Sequence, residues 1–211
     1  MPALLIFDVD GTLLQTERVT VPAVQRTFAA HGLPVPEEAV ICSFFGRPVE
    51  DYEAWLAEQC PPGLAPALVA ETNALELRLI GDEGRLYDGV ADTLARLRAD
   101  GHQLAVCSNG PDDYVNEFLD AHRLRPLFHA VRARGTRYSG KVEMTAEILA
   151  ELTARPGFFV GDRDDDVVAA HAHGLTAVAA VYGFGGHHEL AGADLRLERF
   201  ADLPGLIASR V

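Results

Sequence analysis

The chain begins with the apolar run Ala3-Leu4-Leu5-Ile6-Phe7, and similar runs recur at 103–107, 157–160 and 176–181, with a weaker one at 128–132. Each is short and continuous rather than alternating, the pattern of a strand covered by helices on both faces. Between them the apolar spacing turns helical over 90–100 (closed by Gly101), 112–122, 142–153 and 165–173 (closed by Gly174). Strand and helix alternating at this spacing predict an α/β fold built on a doubly wound parallel sheet.

The stretch 15–86 breaks the alternation. It offers no convincing strand and reads as three or four helices, among them 19–31, 49–59 and 64–79, punctuated by Pro34-Val35-Pro36 and Pro61-Pro62-Gly63. We therefore expect a small α-helical cap domain at 15–86, inserted after the first strand, with 1–14 and 87–211 forming the Rossmann-like core.

Open α/β sheets bind ligands beyond the carboxyl ends of their strands, so the residues that follow each strand are the place to look for chemistry. The first strand delivers Asp8-Val9-Asp10-Gly11-Thr12, the run at 103–107 delivers Ser108-Asn109-Gly110, and the run at 157–160 delivers Gly161-Asp162-Arg163-Asp164-Asp165-Asp166. Lys141, after Ser139-Gly140, opens the helix that precedes this last strand. Two carboxylates two residues apart raise each other's proton affinity unless a cation or a donor intervenes. A divalent metal is the natural candidate.

Composition narrows the partners. At 211 residues, 48% hydrophobic and 23% charged, the chain is an ordinary globular sequence of one domain, with or without a small insert. A net charge of −13 argues against nucleic acid, whose phosphates are gripped by an excess of Lys and Arg. No apolar run approaches the length of a membrane span, and Asp8 interrupts the first run too early for a secretory signal. Cys42, Cys60 and Cys107 are odd in number and lack Cys-x-x-Cys spacing, so reduced thiols in a cytoplasmic protein are expected. Lys141 is the only lysine in the chain, so any task that needs an ammonium has one candidate.

The ordered set Asp-x-Asp-Gly-Thr, Ser-Asn, a lone Lys and Gly-Asp-x-x-x-Asp resembles the haloacid dehalogenase superfamily over essentially the whole chain. Within it the chain looks most like the phosphoglycolate phosphatase-like hydrolases with a helical cap, through the cap position and Tyr182-Gly183-Phe184-Gly185. The resemblance implies a Mg²⁺-dependent phosphatase that acts on a small phosphorylated metabolite, phosphoglycolate or a small sugar phosphate. Asp8 would be the nucleophile that forms an aspartyl-phosphate, and Asp10 the general acid and then base. Asp8, Asp162 and the backbone carbonyl of Asp10 would hold Mg²⁺, with Asp166 in support. Ser108 and the loop at Asn109 and Gly110 would bind the phosphoryl oxygens beside Gly11 and Thr12. Lys141 would neutralise charge that develops on phosphorus.

Two positions depart from the family pattern. Arg163 stands where a small hydroxyl residue is frequent, leaving Asp165 to compete with Asp166, and Val142 replaces a frequent Pro after Lys141. Arg47, in Phe45-Gly46-Arg47-Pro48, is the cap residue expected to reach an anionic substrate, while His187 and His188 read as solvated loop residues. The alternatives are a phosphomutase of the β-phosphoglucomutase type and a non-catalytic protein that binds a phospho-ligand. Asp10 argues against dehalogenation, and the absence of a second lysine against Schiff-base phosphonate chemistry. The lone lysine also lacks the glycine spacing of a P-loop. A monomer or homodimer is expected.

Overall fold

In the computed structural model of the chain, residues 2–135, 137–208 and 210 are described. Among them six strands form one sheet: β1 (Leu4–Phe7), β2 (Gln103–Ser108), β3 (Ala130–Ala133), β4 (Gly157–Gly161), β5 (Thr176–Ala180) and β6 (Leu195–Leu197). Their order is β3-β2-β1-β4-β5-β6, and every neighbouring pair is parallel. The chain winds outward from β1 to β3, then crosses back to lay β4 on the other side of β1. That reversal opens a crevice at the carboxyl end of β1, where α/β sheets take ligands.

Strand residues alternate between two packed layers. Leu5, Phe7, Leu104, Val106, Phe158 and Val160 face α5 (Val90–Ala99), α6 (Asp112–Ala121) and α9 (Leu203–Ala208). Leu4, Ile6, Ala105 and Phe159 face α7 (Lys141–Glu151) and α8 (Asp164–Ala172). With both faces covered, no strand face needs a polar stripe, hence the continuous apolar runs.

Between β1 and α5 the chain forms α1 (Glu17–Ala30), α2 (Glu38–Cys42), α3 (Val49–Glu58) and α4 (Ala65–Asp82). These helices enclose their own apolar cluster, with Val24, Phe28, Ile41, Leu56 and Leu68 at its centre. The passages out of and back into the sheet region lie side by side. Gln15 donates its N–H to the Arg85 carbonyl (2.8 Å) and Tyr87 donates to the Leu13 carbonyl (3.0 Å).

The differences from the sequence pattern are local. β6, α2 and α9 were not expected, because three, five and six residues are too few to display a period. The weak strand lies at 130–133 rather than 128–132, since a 3₁₀ turn at Arg125–Leu127 leaves the Phe128 ring edge-on to Phe7. α7 opens at Lys141 as expected, and α8 begins one residue earlier than expected, which places Asp164 inside its first turn.

Phe118 of α6 is fully enclosed in the layer that covers β1 and β2. Phe118→Ala should destabilise the protein by about 3–5 kcal/mol in urea unfolding, the usual cost of a large core cavity. A loss below about 1 kcal/mol would mean that α6 does not close this face.

Candidate active site

Asp8 directly follows β1 and keeps sheet geometry by donating its N–H to the Val160 carbonyl at 3.0 Å. The chain then turns sharply, with the N–H groups of Thr12, Leu13 and Leu14 all directed at the Val9 carbonyl. Gly11 makes the turn at φ 73°, and a Cβ there would overlap the Asp162 carboxylate and the Phe184 ring. The turn requires glycine for both conformation and space.

Lys141 lies at the bottom of the crevice, almost fully buried. Its Nζ is 2.7 Å from Asp166 Oδ1, 3.2 Å from Asp8 Oδ2 and 3.3 Å from Asp165 Oδ1. Burial by itself would push the ammonium down, but the carboxylates of Asp165, Asp166 and Asp8 more than offset it. Lys141 is held charged, well above the usual lysine range. Asp166 is pinned from both sides: Oδ1 takes the Lys141 bond and Oδ2 accepts the Arg163 N–H at 3.0 Å, closing a capping box on α8. Asp165 does not replace it. Partly exposed, Asp165 bridges Lys141 to the Asn109 side-chain amide, which donates to its Oδ2 at 2.7 Å.

The other two buried acids are less well satisfied. Asp8 Oδ2 faces Lys141 but has no hydrogen-bond donor. Asp162 accepts the Phe184 N–H on Oδ2 (2.6 Å) and, at 3.4 Å, the Thr12 hydroxyl on Oδ1. Burial pushes both carboxyls up to about 7; Lys141 opposes the rise at Asp8, and the neighbouring Asp166 adds to it at Asp162. Oxygen atoms of Asp8, Asp162 and Asp166 come within 4.8 Å of one another. Three converging buried acids beside a single lysine fit a hard divalent cation such as Mg²⁺.

Asp10 is handled differently. Its Oδ1 accepts hydrogen bonds from the Thr16 hydroxyl (2.7 Å) and the Tyr114 phenol (2.8 Å), and its side chain lies outside the three-acid group. Burial raises its proton affinity and the two hydroxyls counter that. Two carboxyls two residues apart thus have separate environments, one against a lysine and one against two hydroxyls.

Above them is a cavity of about 340 Å³, lined on the sheet side by Asp8, Asp10, Asn109, Gly110 and Tyr114 and on the helical side by Phe45, Gly46, Arg47, Tyr52, Asn73 and Glu76. Ser108 is fully buried, and its hydroxyl accepts the Gly110 N–H at 3.0 Å, which shapes the loop at the cavity floor. Arg47 is exposed at the rim, its guanidinium 5.9 Å from the Phe44 ring centre. His187 and His188 are exposed and outside the cavity lining.

The helical side is fastened to the sheet side. Asn109 donates to the Gly46 carbonyl (2.9 Å), Phe45 meets the Phe184 ring edge-on at 4.8 Å, and Arg134 pairs with Glu50. Tyr182 and Gly183 brace the turn after β1 and Asp162: Tyr182 donates to the Thr12 carbonyl at 2.9 Å, and a Cβ at Gly183 would overlap Asp162.

Sequence reasoning missed Thr16, Tyr114, Tyr52, Asn73 and Glu76. One of them left a readable signal. Glu76 lies in the buried stripe Leu68, Thr72, Glu76, Leu79, Ile80 of α4, a carboxyl at a position where the helical period expects an apolar residue. Burial pushes it up to about 7 despite hydrogen bonds from Thr20 and Tyr52.

A sequence profile of the haloacid dehalogenase-like hydrolase family matches residues 5–180. With the sheet order, the three polar clusters at its strand ends and Lys141, this match places the chain in that family. A protein from Synechococcus elongatus named phosphoglycolate phosphatase is 32% identical over 94% of this chain and 94% of its own length. The Mycobacterium tuberculosis protein named tyrosine-protein kinase PtkA is 31% identical over 87% of this chain, which spans only 64% of that relative. Among solved structures, CbbY from Rhodobacter sphaeroides, determined in complex with phosphate, superposes with a TM-score of 0.79 at 27% identity, covering 98% of this chain and 99% of its own.

The raised carboxyls give a pH test. Asp8 and Asp162 hold their protons to about pH 7 when folded, whereas unfolded carboxyls release theirs near pH 4. Their contribution to stability is therefore fully present below about pH 4 and is lost as the pH rises through about 7. A cation that displaces those protons should raise the melting temperature more at about pH 8 than at about pH 5.5. Asp162→Asn should remove most of the Mg²⁺-induced shift in thermal unfolding. Equal shifts at both pH values would contradict the assignment of these carboxyls.

Proposed function

We propose that the protein is a Mg²⁺-dependent phosphatase that hydrolyses a small phosphate monoester through an aspartyl-phosphate on Asp8. The observation that carries this reading is the split between Asp8 and Asp10, two carboxyls facing one cavity with different partners. In this reading, residues 15–86 act as a cap over a core formed by 1–14 and 87–211.

Asp8, Asp162 and Asp166 would hold the metal, together with the Asp10 backbone carbonyl that the family resemblance adds. Bound there, Mg²⁺ supplies positive charge that reconciles the acids with one another and with the phosphate oxygens. Lys141 holds the Asp8 carboxylate in place and offsets charge on phosphorus without giving up a proton. Asp8 attacks phosphorus as the ester bond to the alcohol breaks, and Asp10 protonates the departing oxygen. Asp10 then takes a proton from water, which attacks the aspartyl-phosphate and releases phosphate, so both carboxyls return to their starting states.

Thr16 and Tyr114 both bind Asp10 Oδ1, leaving Oδ2 to carry the proton toward the cavity. The loop shaped by Ser108, Asn109 and Gly110 receives phosphoryl oxygens. Arg47 adds a cation at the rim that attracts a dianionic ester. The phosphatase name of the Synechococcus elongatus relative supports the reaction class, and the phosphate-bound CbbY structure supports the ligand class.

With Mg²⁺ the purified protein should release phosphate from an aryl phosphate, and a chelator should stop it. Asp10→Asn should lower kcat by about 10²–10⁴-fold, the usual worth of a general acid–base group. Asp8→Asn should remove turnover altogether; unchanged turnover in that variant would sink the mechanism. Isomerisation of a sugar phosphate without phosphate release would redirect the reading to a mutase.

A further inference from the structure

The helical wall of the cavity carries chemistry that the reaction on phosphorus does not use. Glu76 of α4 is 7% exposed and Tyr52 of α3 is 8% exposed, and the Tyr52 phenol donates to Glu76 Oε1 at 3.0 Å. One turn away, Asn73 donates its amide N–H to Glu53 Oε1 at 2.7 Å. Its other atom, Oδ1, is buried with no donor. The amide orientation is fixed by its partner, because the flipped form would set Oδ1 against the Glu53 carboxylate.

The Tyr52 phenol and one N–H of the Asn73 amide are thus turned to acids of the wall itself. Glu53, Glu76 and, from the first turn of α6, Asp113 line the same space as Asp8 and Asp10. Against these five acids Arg47 is the one basic residue among the described lining residues, and it is exposed at the rim. A carboxylate placed deep in this cavity would lie among acids with no basic side chain beside it to pair with, an arrangement that selects against such a ligand. A hydroxyl or ammonium would donate to the Glu76 carboxyl instead.

We infer that the alcohol portion of the substrate carries hydrogen-bond donors and no negative charge, and that Glu76 selects for it from the helical wall. This rests on the phosphatase reading. It also separates the chain from the substrate named for its Synechococcus elongatus relative, since phosphoglycolate carries a carboxylate where this wall is acidic.

The test compares kcat/KM for glycerol phosphate, phosphoethanolamine and phosphoglycolate, with an aryl phosphate as reference, all with Mg²⁺. A preference of about tenfold or more for either donor-bearing ester over phosphoglycolate supports the inference, and which of the two leads separates hydroxyl from ammonium recognition. Glu76→Gln keeps the shape and the Tyr52 bond but adds donors. It should raise the phosphoglycolate-to-glycerol phosphate ratio of kcat/KM by about tenfold, a ratio that a general loss of activity would not move. Phosphoglycolate as the best of the three esters for the unaltered protein overturns the inference, whether or not the variant folds. If no ester is turned over, including the aryl phosphate, the phosphatase reading is what failed. The dissociation constants of the same three esters, measured by calorimetry with Mg²⁺, then decide the preference of the wall by the same order.

Discussion

The ion cluster around Lys141 organises the carboxyl edge of the sheet. One buried ammonium is shared by Asp8 from the end of β1 and by Asp165 and Asp166 from the start of α8. A buried lysine with no counter-charge would lose its proton, and buried acids with no cation would keep theirs. Neither side is stable in its ionised form without the other, so the exits of β1 and β4 and the first turn of α7 are tied to one another. Asp166 carries the largest structural share, because it also closes the capping box of α8. The cluster remains short of positive charge: one ammonium faces Asp8, Asp165 and Asp166, and Asp162 stands beside them with only neutral donors on its oxygens. That shortage is where the architecture asks for a divalent cation.

The same residues connect the chemistry to the helical wall. Asn109 bonds Asp165 on one side and the Gly46 carbonyl on the other. The Phe184 N–H holds Asp162 while its ring packs on Phe45. Movement of the helical wall would thus be felt at both the lysine side and the Asp162 side of the acid cluster. A wall that closes over the ester also excludes water from charges that act more strongly in a drier site.

Much of this was legible in the chain because it is written locally. Strands buried on both faces must be continuously apolar, and helices must repeat at 3.6 residues, so five strands and the main helices of the core could be read directly. Asp8, Asp10, Ser108, Asp162 and Lys141 each stand at the end of a strand or the start of a helix, where topology alone brings them to one edge. β6, α2 and α9 were hidden by brevity, and their positions depend on what they pack against. Thr16 and Tyr114 were hidden for another reason: a hydroxyl near a helix start or on a buried helix face has many uses, and only the fold puts these two on Asp10.

The sequence by itself determined the sheet, the helical insertion and the residue types available at the strand exits, because these follow from periodicity and turn chemistry within short windows. Tertiary structure alone decided how those residues divide the work. It assigned Asp166 to Lys141 and the α8 cap, gave Asp165 the bridge to Asn109, and set Asp10 apart from Asp8 with its own donors. It also turned Glu76, a lone acid on an apolar helix face, toward the cavity opposite Asp10. Hydrogen bonds and like-charge contacts act over a few ångströms between residues that lie tens of positions apart in the chain, and no local pattern specifies such pairs.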